Sequence, residues 1–355
     1  MIRKKSRREE SLDHAELARL LPPPGDPHLS LDRHLLLEEH LMNEIQHTAP
    51  APAPSRRAAR RVLLIGVPVT AAALAGAFAV TALTGSGGSG PATATPAPVE
   101  APVVRIEPGS TAQLASTVER IAAAASARKT PEPGPGQYIY IKSKVSYLSV
   151  SHTDTDKSKA WVQPLHVREV WNSPDGKQGW LDEPGYKPKG GITLDSDVEN
   201  SLNGPSYDYL KTLPTDPDAL LKKIYKETKG QGNSPDQEAF ATVGDLLREQ
   251  IAPAKLNAAL YRAAAKIPGV VVVVEHAKDA AGREGIALAH VDQKSGDRSE
   301  WIFDPKTYAY LGSRAVQVKQ AYGIKPGTVL ECTAVLERAV VDAQKERPGA
   351  QGTGA

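Results

Sequence analysis

The side chains able to do chemistry are few and scattered. His40, Glu44 and His47 fall at i, i+4 and i+7, one face of a helix, and His34 with Glu38 makes a similar pair. Zinc takes such ligands, but its stronger signatures add cysteines at short spacing, and the chain has one cysteine, Cys332. Asp195, Asp197, Glu199 and Asn200 form an acidic run. A calcium loop would need glycine where Asn200 stands and glutamate where Ser206 stands, so the run reads as a solvated loop. His152, His166, His276 and His290 lie at no ligand spacing and read as surface or hydrogen-bonded histidines. Cys332 sits in an apolar stretch, as a buried, inert thiol does. No phosphate loop, dinucleotide fingerprint, His-Glu-x-x-His or Gly-x-Ser-x-Gly is present. The expectation is therefore a non-enzymatic chain with no catalytic residue, no cofactor and no metal. Trp161, Trp171, Trp180 and Trp301 fall in strand-like stretches, where they either fill a core or line a ligand cavity.

The elements around these residues divide the chain at one place. Residues 62–84 carry no charge, with Arg56, Arg57, Arg60 and Arg61 on one side and a Gly/Ser run from Gly85 to Gly90 on the other. As a helix this segment spans roughly 34 Å, enough for a bilayer core of about 30 Å. The arginines lie on one side only, which predicts a cytoplasmic N-terminus and an extracytoplasmic C-terminal part. Ala77-Phe78-Ala79 weakly resembles a signal-peptidase site, but 61 residues precede the apolar run, which fits an uncleaved signal-anchor. The expected localisation is the cell membrane, crossed once. Residues 1–61 hold 11 Lys or Arg and 9 Asp or Glu; the rest of the chain holds 32 of each. A neutral outer part has no electrostatic reason to bind nucleic acid.

Within residues 1–61, two short amphipathic helices are predicted. One covers 11–21 and ends at Pro22-Pro23-Pro24-Gly25; the other runs from Ser30 to about Gln46. Helices this short cannot bury their apolar faces alone, so they pack on each other or dock on a cytoplasmic protein partner through residues 11–46. Residues 85–104 read as a flexible spacer. Residues 105–345 carry the outer domain, and 346–355 a disordered tail.

In the outer domain, Ser110 or Thr111 is placed to cap a helix carrying Leu114, Val118, Ile121 and Ala125. Strands are predicted at 138–148, 161–172 and 178–181, with the turn Ser173-Pro174-Asp175-Gly176 between the last two. Residues 183–215 read as irregular. Helices starting at Asp216-Pro217, Ser234-Pro235 and Pro253 follow, then strands at 270–276, 285–292, 299–303, 308–318 and 329–342. Strands, then helices, then strands without alternation predict an α+β fold whose antiparallel sheet packs on helices.

The stretches Leu20-Leu21-Pro22-Pro23-Pro24 and Arg33-His34-Leu35-Leu36-Leu37-Glu38-Glu39-His40-Leu41-Met42 resemble the start of a family of actinobacterial single-pass membrane proteins of unknown function. Leu213-Pro214-Thr215-Asp216-Pro217, Asp304-Pro305-Lys306-Thr307 and Val340-Val341-Asp342 carry the resemblance along the outer part. It implies envelope signalling, because such proteins are often encoded beside an extracytoplasmic-function sigma factor. In element order the outer domain also resembles the half-barrels of lipoprotein carriers and of periplasmic regulators of anti-sigma factors, which implies a curved sheet over helices enclosing an apolar ligand. Two functions follow: a membrane-anchored envelope sensor or binding protein, or an extracytoplasmic carrier of a lipid or other apolar molecule.

Overall fold

A computed structural model describes residues 95–149 and 160–349. The amphipathic stretches at 11–46, the candidate anchor at 62–84, His152 and the last residues of the tail lie outside the described residues. Among the described residues no helix is long and apolar enough to cross a membrane.

The chain enters through β1 (Val99–Glu100) and α1 (Leu114–Ala127), then β2 (Tyr138–Ser146), β3 (Leu148–Ser149), β4 (Trp161–Val162), β5 (His166–Asn172), β6 (Gly179–Asp182) and β7 (Ile192–Thr193). Four helices follow: α2 (Tyr207–Thr212), α3 (Pro217–Glu227), α4 (Pro235–Arg248) and α5 (Ala254–Ala264). The chain closes with β8 (Val271–Lys278), β9 (Glu284–Val291), β10 (Asp297–Phe303), β11 (Tyr310–Gln317) and β12 (Val329–Val341). This is the α+β order that the sequence predicts.

Nine strands form one antiparallel sheet in the order β7-β6-β5-β2-β12-β11-β10-β9-β8. Two meanders, one before the helices and one after, are joined where the last strand returns beside β2. That seam is built by β12, whose first residues pair with β11 and whose remainder pairs with β2. Its register shifts between Val335 and Glu337, and against β11 between Ala315 and Val316. Extra residues of this kind bend and twist a strand, which lets one long strand serve both halves.

The helices cover one face of the second meander. Ile121 of α1, Leu220 and Ile224 of α3, Phe240 and Leu246 of α4 and Leu260 of α5 pack on Val272, Leu288, Trp301 and Phe303 of the sheet. α4 approaches the Trp301 indole so closely that a Cβ on Gly244 would sit 2.8 Å from its Nε1. Helix starts follow local chemistry. Asp216 and Ser234 accept from the amides of Ala219 and Gln237, each with proline at the first helical position, as expected.

Four expectations change. The cap of α1 is not Ser110 or Thr111; Gln113 occupies that position without a side-chain bond, because the Ser110 backbone pairs with Val272 of β8. Residues 161–172 form two strands rather than one. β4 joins a separate sheet, β1-β4-β3, and Pro164, which lacks an amide proton, lies between β4 and β5. Residues 183–215 hold β7 and α2, the latter capped by Ser206. The spacer and the tail are partly folded. β1 pairs with β4, and the Val104 amide donates to the Gly327 carbonyl. At the other end the Trp171 indole donates to the Glu346 carbonyl, and Arg347 forks onto Glu169 at 2.9 and 2.6 Å. The buried Glu169 carboxylate needs a cation, and the tail supplies it.

Candidate binding cleft

The tryptophans do not share a cavity. Trp301 stacks on Phe240 at 3.9 Å with the rings 6° apart, inside the helix–sheet core. Trp171 packs on Tyr140 on the opposite face of the sheet, with Trp180 beside it under Lys345. Trp161 belongs to the small sheet. Around Trp301 and Phe240 the space between sheet and helices is thus filled by side chains.

What the fold gathers instead is charge. Residues of one parity along β5, β2 and β12 face the helices, and among them are Arg168, opposite Ser143, and Arg338, opposite Ile141. The C-terminal turn of α4 brings Asp245, Arg248 and Glu249 over them. The Arg168 Nε donates to Glu249 Oε1 at 2.7 Å, and its Nη1 to Glu183 Oε2 at 2.8 Å. The His166 ring lies 2.8 Å from both Glu183 Oε1 and the Pro164 carbonyl, stacked on Tyr186 at 3.9 Å. Arg248 lies 3.3 Å from Asp245 and 4.0 Å from Glu331. Side-chain exposures are 19% for Arg168, 26% for Arg248, 31% for Glu249 and 33% for Asp245, so solvent reaches this row. It is a cleft along the helix–sheet boundary, not a sealed core.

Further along the same boundary, Arg338 Nη2 donates to the carbonyls of Leu247 and Arg248 at 2.6 and 3.2 Å. A cation there complements the C-terminal end of the α4 dipole. Its guanidinium lies over the Tyr310 ring, 5.5 Å from the centroid. Arg338 lines a recess of about 30 Å³ with Arg128, Asn257, Tyr261, Tyr308 and Tyr310.

Partial burial and close charges shift several of these groups. Burial alone would raise the Glu249 carboxyl, but the Arg168 charge and hydrogen bond carry it below the usual range. For Glu183, burial is likewise outweighed by the His166 hydrogen bond and the Arg168 charge. Asp245 goes the other way. Burial pushes it up to about 6; Arg248 opposes this, and the neighbouring Glu331 and Glu249 add to it. Asp297, elsewhere in the fold, also rises to about 6 through burial, against a hydrogen bond from Ser295. Tyr147 is pushed up to about 12 by burial.

These shifts have a consequence for stability. Folded Asp245 and Asp297 hold protons more tightly than they do in the unfolded chain, so stability falls as pH rises between about 4 and 6. Glu183 and Glu249 act oppositely. Their contribution is present above the unfolded carboxylate range and is lost as pH falls through their depressed values. Asp245 and Asp297 therefore contribute a rise in the denaturant midpoint of the full chain from pH 7 to pH 5, buried His290 opposes it because the unfolded chain takes up a proton that the folded one withholds, and below about pH 4 the midpoint falls. Asp245→Asn and Asp297→Asn should each flatten the rise. A difference in midpoint between pH 5 and pH 7 that is the same in both variants as in the parent chain would refute these two contributions.

The residues singled out by sequence are dispersed. Asp195 accepts from the Gly179 amide at 3.2 Å, and the Asn200 side chain donates to the Asp175 carbonyl at 2.9 Å; both serve the loops around β6. His276, at φ 58°, sits in a bulge of β8. His290 is buried beside Phe240, and burial lowers its pKa. Cys332 is half-buried rather than buried, on the sheet face away from the helices and level with Arg314. Its thiol is nevertheless pushed up to about 12 by burial. Among the described residues no three His, Cys, Asp or Glu side chains converge for a metal. The cleft residues carried no motif. Arg168 and Glu249 stand 81 positions apart, and only strand parity hints that Arg168 faces inward.

No family model matches this sequence, and no curated protein matches it. Among solved structures, the Pseudomonas aeruginosa MucA/MucB complex is similar over 67% of this chain and 62% of that chain, at 15% identity and a TM-score of 0.23. MucB in complex with MucA(peri) gives 67%, 60%, 13% and 0.22. The chain thus spans about three-fifths of the length of the structures it matches. A likeness this weak carries no argument about function, and the family resemblance read from residues 20–42 is an expectation of the sequence alone.

Proposed function

We propose that this chain is a non-enzymatic, single-pass envelope protein whose extracytoplasmic domain binds a polar protein segment. In this reading residues 62–84 anchor it, residues 1–61 lie in the cytoplasm, and the predicted helices within 11–46 engage a cytoplasmic partner. The resemblance in residues 20–42 supports an extracytoplasmic-function sigma factor as that partner. The observation that carries the binding reading is the cleft. Its walls are guanidinium, carboxylate and phenol groups reached by solvent, whereas the apolar space that a lipid carrier would keep open is filled by Phe240, Trp301 and their neighbours. Polar walls of this kind reward a partner that brings hydrogen bonds and charge, and penalise an apolar one by leaving them unpaired.

The test is photocrosslinking in the native membrane. A photoreactive residue is placed at Glu331 or Asn257 of the full chain, at the two ends of the cleft. A discrete protein adduct is expected, and an adduct with lipid alone would overturn the reading in favour of the carrier. Alkaline phosphatase fused after Ala355 should be active, and fused after Pro50 inactive. The reverse pattern would overturn the topology.

A further inference from the structure

The recess at the Arg338 end of the cleft has an unusual charge balance. Two guanidiniums, Arg338 and Arg128, line it, and no carboxylate does. The Arg338 Nε is wholly buried and has no hydrogen-bond partner, although Nη2 is engaged by α4. A buried charged donor left unpaired is costly, and such groups are nearly always matched. Burial accordingly holds the Arg338 pKa below its usual value, and Arg128 acts in the same direction.

Three tyrosine hydroxyls add neutral donors, beside Ala125, Thr130 and Asn257, whose side-chain amide is engaged with the Ala252 carbonyl. The Tyr308 hydroxyl accepts from Arg120 Nη1 at 3.3 Å, which leaves its own proton free to donate. Tyr308 is held there at φ 55°, a left-handed conformation that costs energy for a tyrosine and that persists only where the surroundings enforce it. Burial raises the Tyr261 and Tyr310 phenols, so both keep their protons at neutral pH. The recess is therefore concave and lined by guanidinium and phenol donors without a carboxylate.

We propose that this recess is a binding site for a carboxylate group. Its volume of about 30 Å³ corresponds to roughly two water positions. Two oxygens of a planar carboxylate match that room, whereas a tetrahedral phosphate or sulfate brings four. Guanidinium and phenol donors pair naturally with such an anion. The inference rests on the binding reading above and deepens it: the segment that docks in the cleft presents a C-terminal carboxylate to Arg338 and Arg128. A free small organic acid carries the same chemistry, and the experiment separates the two sources.

The detergent-solubilised full chain is titrated calorimetrically with sodium acetate, with N-acetyl-trialanine as the free acid, and with its C-terminal amide, at ionic strength matched by chloride. The free acid is expected to bind at least tenfold more tightly than the amide. Arg128→Gln and Tyr308→Phe change rim groups and are each expected to weaken free-acid binding about tenfold without altering the melting temperature. Arg128→Lys should restore part of the loss. Equal affinity of acid and amide, no saturable binding of any probe, or affinity unchanged in both variants would overturn the site. Acetate binding as tightly as the peptide would support the carboxylate site while overturning the protein-segment reading. A protein photoadduct that persists in both variants with undiminished yield would keep that reading and overturn the site.

Discussion

Glu300→Ala should destabilise the domain by about 3–5 kcal/mol, read from the denaturant midpoint of the full chain. Glu300 is fully buried on the sheet face away from the helices, between Arg298 and Arg314, themselves only 4% and 3% exposed. Arg298 Nε donates to its Oε1 at 2.7 Å and Arg314 Nε to its Oε2 at 2.5 Å. Removing the carboxylate leaves two cations in a low-dielectric site with no anion between them. The triad also ties distant backbone together. Arg298 Nη1 reaches the Glu107 carbonyl at 2.7 Å, and Arg314 Nη1 reaches the His276 carbonyl in the β8 bulge at 3.2 Å. The entry segment and the sheet edge should loosen with it, which amide exchange at residues 107 and 276 would show. Replacing all three residues together by Met, Leu and Met should cost far less, because the desolvation of three charges disappears with their attraction. A single-site loss under about 1 kcal/mol would mean that the freed guanidiniums reach water.

Phe240→Ala should cost about 3–5 kcal/mol by the same measurement. The ring is 1% exposed, lies flat on Trp301 and also stacks on His290 at 5.6 Å. Truncation removes both stacks and opens a cavity that rigid neighbours on the sheet cannot fill. Gly244, one turn along α4, already sits against the indole, but any collapse of the helix toward the sheet would move Asp245, Arg248 and Glu249 relative to Arg168. Photocrosslinking yield from Glu331 should fall with stability. Phe240→Leu keeps most of the volume and should recover about half of the loss. A midpoint shift worth less than about 1 kcal/mol would show that the core repacks freely.

Legibility in the sequence followed the range of the interaction. Asp216-Pro217 and Ser234-Pro235 mark helix starts to the residue because a cap is made within three positions. Asp304-Pro305-Lys306-Thr307 reads as a turn because the Asp304 side chain bonds the amides of Lys306 and Thr307. α2 escaped notice among Gly and Pro residues, since one six-residue turn buries only Tyr207 and Leu210. The Ser110 side chain suits a helix cap, and its backbone instead joins a strand 162 positions away, a partner that no local rule names.

The candidate site was the least legible part. Arg168, Arg248 and Arg338 look like ordinary surface arginines when read in order. They converge because β12 pairs with β2, because its bulge sets which residues face the helices, and because α4 ends above that face. Each of those is a register decision, and a slip of one residue would turn Arg338 to the other side.

By itself the sequence determined the α+β order, most helix starts, the absence of known catalytic motifs and the expectation of an anchor at 62–84, since all of these depend on neighbours in the chain or on composition. The tertiary structure alone decided that the four tryptophans fill separate places, that the tail supplies a cation to Glu169, and that Arg168, Arg248 and Arg338 gather along one helix–sheet boundary. The physical reason is that burial and pairing are properties of strand register and helix seating, and these arise only when residues 80 to 200 positions apart come into contact.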